Sequence, residues 1–306
     1  MLTTNTATAT PESSVTIKEL SSLLKPGVML LVVFTGAVGM WLAPIQAHPF
    51  IQLLVIAMIA LGSGAGGMMN MWYDRDIDAI MTRTRKRPIP AGLVQADDVL
   101  VCGIMLAIAS VFILGLATNW FAAGLLAFAI AFYAVVYTVW LKRSTSQNIV
   151  IGGAAGAFPP VIGWAAMTGS APVEAWVMFA IVFLWTPPHF WALALYRNDD
   201  YRKANIPMLP VVKGLDHTKW QMEIYCWLLL AVALLPVYFG TASIGYALAA
   251  LALNTRFILH ARTVRHSQDE APAKRMFGFS ILYLFALFSA LLIDGLLHPF
   301  YAGLFQ

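Results

Sequence analysis

Long apolar segments, separated by short polar ones, make up most of this sequence. Several of them approach the roughly 20 residues that an α-helix needs to cross the hydrocarbon core of a bilayer. A membrane β-barrel would instead show alternating segments of about 10 residues. We therefore predict an all-α integral membrane protein with nine transmembrane helices. The nine apolar segments lie near 27–46, 50–70, 98–118, 120–141, 148–168, 175–195, 220–240, 243–262 and 276–297.

The N-terminal segment differs in composition from the rest of the chain. Residues 1–24 are rich in Thr, Ser and Ala, which predicts a mobile tail. We expect residues 25–306 to form a single transmembrane domain. The tail shows neither the charged start and short apolar core of a signal peptide nor an Arg-rich presequence. These features favour the plasma (inner) membrane of a bacterium, with the lipid bilayer as the surroundings of the domain.

Composition supports the membrane assignment and excludes other classes. Of the 306 residues, 60% are hydrophobic and 11% are charged, whereas soluble domains carry about 25% charged residues. The net charge of +4 is not accompanied by a basic patch interleaved with aromatic residues, so we predict no nucleic-acid partner. Cys102 and Cys226 lie in separate apolar segments without metal-ligand spacing, which favours a packing role.

The distribution of Lys and Arg predicts the orientation. With nine spans and a cytoplasmic N-terminus, all 19 Lys and Arg residues fall on the cytoplasmic side. The outer turns contain none, and neither does the segment after His298. Because cytoplasmic loops of membrane proteins are enriched in these residues, we predict a cytoplasmic N-terminus and a C-terminus on the outer side.

Two inner loops, 71–97 and 196–219, are much longer than the other connections. Each follows a predicted span, each begins with acidic residues, and they lie four spans apart. This spacing suggests a faint internal duplication. We expect helices from the two halves to bring both loops over one cavity.

Asn70, Asp74 and Asp78 begin the first long loop at four-residue spacing. In a helix each step of four turns the side chain only about 40° and advances it about 6 Å, so the three line one edge. Asp76 falls on the opposite side, and we interpret it as a solvated charge. Mg²⁺ is usually bound by one or two carboxylates together with phosphate oxygens. Four cations follow within five residues, namely Arg83, Arg85, Lys86 and Arg87.

This set of acids and cations has two interpretations. It suits a site for Mg²⁺ and a diphosphate, and it equally suits a charged loop that only flanks the membrane. Residue chemistry alone does not choose between them.

One histidine lies within a predicted span. His189 follows Pro187 and Pro188, which must interrupt the helical hydrogen-bond ladder. An ionisable residue at this depth is a functional candidate, and the alternative is a histidine hydrogen-bonded to carbonyls that the prolines free. The glycine-rich segment 62–67 matches a dinucleotide-binding pattern but lies within a span, so helix packing is the better interpretation.

Several motifs resemble those of UbiA-type intramembrane prenyltransferases. The first is NxxxDxxxD at 70–78, followed by RTRKRPIPAG. The others are YTVWLKRSTSQNIVIGGAAGAFPPVIGW at 137–164, WTPPHFWALALYRNDDY at 185–201 and NIPMLPVVKG at 205–214. They look most like the branch of the family that farnesylates haem. The resemblance covers nearly the whole chain after the tail.

The resemblance implies a fold and an activity. It implies nine helices around a central cavity, Mg²⁺ as cofactor, and farnesyl diphosphate and haem B as substrates. The farnesyl group would join a haem vinyl group, with addition of water, to give haem O and diphosphate for the assembly of haem-copper oxidases. A haem A synthase is then the candidate recipient of the product.

The resemblance also implies roles for single residues. Asp74 and Asp78 would hold Mg²⁺ beside Asn70, and Asp200 would contribute from the second loop. In other members the second acidic motif often has carboxylates four residues apart, but here Lys203 and Ala204 stand four residues after Asp199 and Asp200, which puts Asp199 in doubt. The candidate diphosphate ligands are Arg83, Arg87, Lys142 and Arg143. Apart from the resemblance, we name Phe132, Tyr133, Tyr137 and Trp140 as candidates for the cavity wall, although aromatic residues in a span more often serve packing, and His189 as a candidate haem contact.

Two alternatives stay open at this point. The first is a prenyltransferase that acts on an aromatic quinone precursor. The second is a secondary transporter, but transporters usually place ionisable groups near the membrane midplane. Nearly every acid in this chain falls at the predicted inner face, which disfavours transport.

Overall fold

The computed structural model describes residues 22–302, in which every regular element is a helix and no strand occurs. The predicted tail at 1–24 lies almost entirely outside the described residues. The elements are α1 (Pro26–Trp41), α2 (Pro49–Tyr73), α3 (Arg75–Ile80), α4 (Ala96–Ala117), α5 (Trp120–Ala131), the π-helix π1 (Phe132–Leu141), α6 (Asn148–Ala157), α7 (Pro159–Thr168), α8 (Val173–Tyr196), α9 (Asn198–Lys203), α10 (Leu209–Val212), α11 (Leu215–Ala233), α12 (Leu235–Tyr238), α13 (Ile244–His266) and α14 (Ala271–Ala302).

The predicted fold class, an all-α multi-pass membrane protein, is confirmed. Among the described residues, eight helical segments are long and apolar enough to cross a bilayer, and Met29–Trp41 is a shorter apolar helix. The count of nine is therefore approximate. The first helix ends at Trp41 rather than near residue 46, because Pro44 follows and a residue before proline avoids helical dihedrals.

Proline also begins other helices, but it does not interrupt the span that contains Pro187 and Pro188, where the sequence predicts a break. The fifth span divides into α6 and α7 at Phe158, where Pro159 begins α7. In contrast, α8 continues unbroken through Pro187 and Pro188. The hydroxyl of Thr186 donates to the carbonyl of Val182 at 2.8 Å, the kind of side-chain bond that supports proline within a membrane helix.

The helices bury two large apolar clusters. One lies mainly between helices of the second half and includes Trp191, Tyr246 and Phe288, and the other lies mainly in the first half around Ile59 and Leu114. Many apolar side chains on α4 and α5 instead point outward. Such extended exposed apolar surface is expected where a protein faces lipid.

A cavity of about 470 Å³ lies between the two halves, and the long helices that line it are α1, α2, α5, π1, α6, α7, α8 and α14. The two long loops, 71–97 and 196–219, meet at this cavity. Ile77 and Met81 of the first loop pack with Tyr201, Ile206 and Met208 of the second in one buried cluster. The prediction that both loops come together over a single cavity is confirmed.

Candidate active site

Asn70, Asp74 and Asp78 lie on one edge of a nearly continuous helix, as their spacing predicts. The backbone N–H of Asp74 donates to the carbonyl of Asn70 at 2.9 Å, and that of Asp78 donates to the carbonyl of Asp74 at 2.8 Å. Helical hydrogen bonding thus passes through the junction between α2 and α3. All three side chains are buried, and Asn70 Nδ2 donates to Asp74 Oδ2 at 2.6 Å. We call this set the acidic edge.

Each carboxylate of the acidic edge already has a cationic partner. Lys142 Nζ donates to Asp74 Oδ2, and Arg87 Nη1 donates to Asp78 Oδ2 at 2.6 Å. Asn70 and Asp78 line the cavity, whereas Asp74 is fully buried. Two carboxylates and their counterions are therefore held together beside an apolar cavity, near the two long loops.

Asp76 lies away from the acidic edge, as predicted, but it is not simply a solvated charge. Arg143 donates to its two carboxylate oxygens at 2.7 and 2.8 Å. These hydrogen bonds lower the pKa of Asp76 and raise the pKa of Arg143. The pairing arises because the turn after π1 brings Arg143 beside the start of α3, a contact between segments 67 residues apart.

Arg143 occupies a different place from the other predicted diphosphate ligands. Its guanidinium also donates to the carbonyl of Tyr73 at 3.2 Å and lies over the Tyr73 ring, 4.9 Å from the centroid. It reaches Asp74 Oδ1 only at 3.5 Å. The residues that form the cavity wall include Arg83, Arg87 and Lys142 but not Arg143.

The second loop presents its two acids in opposite directions. Asp199 is 84% exposed at its side chain and lies 3.9 Å from Arg202. Asp200 is buried, and its Oδ2 atom has no hydrogen-bond partner among the described residues. Its neighbour Tyr201 lines the cavity. Because Asp199 and Asp200 are adjacent on the short helix α9, only one of them can face inward.

Two of the four predicted aromatic residues line the cavity. Tyr133 and Tyr137 stack with ring centroids 5.4 Å apart and belong to the wall. Phe132 and Trp140 do not belong to it, and Trp140 is 61% exposed. In an α-helix Trp140 would share a face with Tyr133, seven residues earlier. The wider turn of π1 moves it off that face.

Glycine makes room for one of these tyrosines. A Cβ atom on Gly152 would lie 2.2 Å from the Tyr137 ring. The absence of a side chain at Gly152 thus lets α6 approach π1 closely.

His189 lies in the cavity wall within α8. Its Nδ1 atom is 2.6 Å from the hydroxyl of Ser280. Trp185 stacks on the ring at a centroid distance of 4.3 Å, and Phe277 stacks on it at 4.6 Å. The partner of the histidine is therefore a serine of α14 and not a carbonyl freed by the prolines.

A family model described as the UbiA prenyltransferase family matches residues 32–291. The chain belongs to this family. It is similar to protoheme IX farnesyltransferase of Rhizobium etli (strain CIAT 652), with 55% identity over 288 residues that cover 93% of this chain and 91% of the relative. It is also similar to protoheme IX farnesyltransferase of Rhodopseudomonas palustris (strain BisB5), with 56% identity over 277 residues, or 89% and 88% of the two chains.

Solved structures share the fold at low identity. Digeranylgeranylglyceryl phosphate synthase superposes with a TM-score of 0.74 at 15% identity, covering 91% of this chain and 99% of the other. A UbiA homolog from Archaeoglobus fulgidus bound to GPP and Mg²⁺ superposes with a TM-score of 0.64 at 15% identity, covering 89% and 99%. These likenesses confirm a UbiA-type arrangement of helices.

The donor atoms of this UbiA-family chain fit a Mg²⁺ ion shared with a substrate. Within residues 22–302, no three His, Cys, Asp or Glu side chains lie close enough to enclose a metal. Asp74, Asp78 and Asp200 therefore do not form one cluster. Mg²⁺ usually takes one or two carboxylates and completes its shell with water and substrate phosphates. The paired acids of the edge suit that role, whereas Asp200, whose Oδ2 has no partner among the described residues, lies outside that pair.

Sequence reasoning missed Lys25, which it counted only as a cytoplasmic charge. Lys25 has a left-handed backbone (φ 53°, ψ 57°) just before α1, and its Nζ donates to Asn70 Oδ1 at 2.8 Å. Burial, together with the nearby positive charges of Arg87 and Lys142, lowers the pKa of Lys25 to about 7, although Asp74 and Asp78 act in the opposite direction. The signal in the sequence was a lone cation followed by proline at the start of the first span.

Proposed function

We propose that this protein transfers a farnesyl group from farnesyl diphosphate to a vinyl group of haem B, with addition of water, to give haem O and diphosphate. Support comes from the relatives named protoheme IX farnesyltransferase, at 55% and 56% identity. The structural observation that carries the proposal is the acidic edge beside an apolar cavity, surrounded by cations.

Charge in the site favours an anionic ligand. Four cations line the cavity, namely Lys25, Arg83, Arg87 and Lys142. Even without Lys25, whose pKa is lowered to about 7, the other three outnumber the two carboxylates of the acidic edge by one, which favours an anionic ligand such as a diphosphate. Arg83 makes no ion pair within the described part of the chain, and its hydrogen bond to Tyr201 leaves other N–H groups of the guanidinium for phosphate oxygens.

Mg²⁺ fits the donor set of Asp74, Asp78 and substrate oxygens. When bound, it would neutralise the charge that develops on the diphosphate leaving group. The cations of the cavity wall would donate to the same oxygens and hold the diphosphate in place. Asn70 contacts both Asp74 and Lys25, so it positions one acid and one cation at once.

The apolar part of the cavity suits the other half of the substrate. Cleavage of the carbon–oxygen bond leaves an allylic cation, which must be kept from bulk water until it reaches the vinyl group. The stacked rings of Tyr133 and Tyr137 stand beside the acidic edge and can stabilise positive charge through their faces. A volume of about 470 Å³ lies within the range of known ligand pockets, about 300–1,000 Å³.

The test is a reconstitution with purified full-length protein. We expect haem O, identified by mass spectrometry, when farnesyl diphosphate, haem B and Mg²⁺ are supplied together. EDTA should stop the reaction and added Mg²⁺ should restore it. Product from 4-hydroxybenzoate but not from haem B would favour a quinone precursor as the acceptor. Full activity after exhaustive chelation would contradict the Mg²⁺ proposal.

We further propose that the protein lies in the bacterial inner membrane with its N-terminus in the cytoplasm. The placement of all 19 Lys and Arg residues on one predicted side supports this orientation. Single cysteines introduced at positions 145 and 171 test it. A membrane-impermeant reagent added outside the cell should label position 171 and spare position 145, and the reverse pattern would contradict the proposal.

A further inference from the structure

We propose that His189 binds the iron of the haem substrate through Nε2, and that Ser280 is a positioning residue that fixes the required tautomer. The inference rests on the proposed function, because it takes haem as the acceptor. His189 lies on α8 and Ser280 on α14, and neither helix carries a residue of the acidic edge.

The first step is the direction of the hydrogen bonds. Ser280 Oγ lies 2.6 Å from the carbonyl oxygen of Phe277 and 2.6 Å from His189 Nδ1. A carbonyl can only accept, so the single hydroxyl proton of Ser280 is donated to Phe277. The serine oxygen must then accept from His189. The imidazole is therefore protonated at Nδ1, and a neutral ring carries its lone pair at Nε2.

The second step is the direction of the lone pair. Trp185 covers one face of the imidazole and Phe277 covers another, both by stacking. Ser280 occupies the Nδ1 edge and does not belong to the cavity wall, whereas His189 does. The opposite edge of the ring therefore faces the cavity. Nε2 makes no hydrogen bond to any described residue, and it is not one of the enclosed atoms that lack a partner.

The third step is the chemistry that this arrangement suits. Metal-bound histidines are neutral and donate their other ring N–H to a carbonyl, a carboxylate or a similar acceptor, which fixes the tautomer and the ring orientation. The relay from His189 through Ser280 to the Phe277 carbonyl is such an arrangement. Haem brings an iron with an open axial position into an otherwise apolar wall. A single fixed nitrogen ligand would anchor the porphyrin and orient its vinyl groups.

The test uses the full-length protein in detergent, titrated with haem B and reduced. Resonance Raman spectroscopy of the ferrous complex should show an iron–histidine stretching band. His189→Ala should remove this band and weaken haem binding about tenfold or more, and added imidazole should restore an axial ligand. The matched control is His260→Ala, on α13 outside the cavity wall, which should keep the band.

Ser280 provides a second readout that does not depend on the stability of the His189 variant. Ser280→Ala should keep the band but shift it to lower frequency, because the Nδ1–H loses its acceptor and the imidazole becomes a weaker donor. Ser280→Thr keeps the hydroxyl and should restore the wild-type frequency. An unshifted band in Ser280→Ala would overturn the positioning role.

The outcomes separate this inference from the proposed function. If the wild type makes haem O but His189→Ala keeps the same iron–histidine band, the ligand assignment is wrong and the function stands. If His189→Ala keeps the band and loses turnover with a changed pH profile, His189 acts as a base and the ligand assignment is again wrong. If the wild type neither binds haem B nor makes haem O, the proposed function itself fails.

Discussion

The loops at 71–97 and 196–219 pack together over one cavity, yet they carry their acids in different ways. In the first loop, Asp74 and Asp78 are four residues apart on a continuous helical edge, and each has a cationic partner. In the second, Asp199 and Asp200 are adjacent, so α9 exposes the first and buries the second. The buried oxygen of Asp200 has no partner among the described residues.

The difference shows how residue spacing decides whether two carboxylates lie on the same side of a helix. A step of four residues on a helix keeps both side chains on one edge, whereas a step of one turns them about 100° apart. The first loop can therefore offer two carboxylates to a shared ligand, and the second can offer only one. The two loops are therefore not equivalent acidic sites, although their spacing in the sequence suggests a duplication.

The largest expected effect comes from removing charge from the acidic edge. Asp74→Asn and Asp78→Asn should each lower kcat/KM for haem O formation by about 100-fold or more, because each loses a charged hydrogen bond of about 1.5–3 kcal/mol as well as a metal ligand. Asp76→Asn is the matched control on the same segment and should retain most activity. Equal losses from all three variants would contradict the edge argument.

The second prediction tests whether the buried Asp200 matters more than the exposed Asp199. Asp200→Asn should lower turnover by about 10- to 100-fold, since a buried acid with an unpartnered oxygen contributes charge to the site. Asp199→Asn should stay within about twofold of wild type, because an exposed pair contributes little. Kinetics of the two variants at matched expression would decide. A larger loss from Asp199→Asn would reverse the assignment.

The third prediction concerns Lys25, which lies outside both loops but contacts Asn70 of the acidic edge. Lys25→Met should raise the KM for farnesyl diphosphate about tenfold, the effect of losing one charged hydrogen bond of about 1.5 kcal/mol. The KM for haem should change little, because the ammonium lies beside Asn70 of the acidic edge. Lys213→Met removes an exposed cation from the second loop and serves as the control. Unchanged KM values in Lys25→Met would remove Lys25 from the site.

The smallest expected effect concerns Arg143. Its guanidinium is paired with the exposed carboxylate of Asp76, and exposed pairs typically contribute about 0.2–1 kcal/mol. Arg143→Lys should therefore lower kcat/KM only about two- to fivefold. The double variant with Asp76→Asn should be no worse than the single ones, because both break the same contact. A loss above about tenfold in Arg143→Lys alone would instead indicate direct contact with the diphosphate.

The sequence by itself determined the features that depend on local geometry. Segment length and hydropathy predicted the helices, because a bilayer requires about 20 apolar residues and internal hydrogen bonding. The four-residue spacing of Asn70, Asp74 and Asp78 predicted a common edge, because helical hydrogen bonds fix where successive side chains point. Long motifs were enough to indicate the family that the match over residues 32–291 confirms.

Only the tertiary structure decided which distant residues meet. Lys25 reaches Asn70 across 45 residues, Lys142 reaches Asp74 across 68, and His189 reaches Ser280 across 91. Asp294, to which the sequence assigned no role, accepts the backbone N–H of Ser243 at 2.7 Å, 51 residues away, at the start of α13. Likewise, no simple pattern in the sequence predicted the π-helix that places Trp140 at the surface. Such contacts follow from how whole helices pack against each other, which no local pattern of residues encodes.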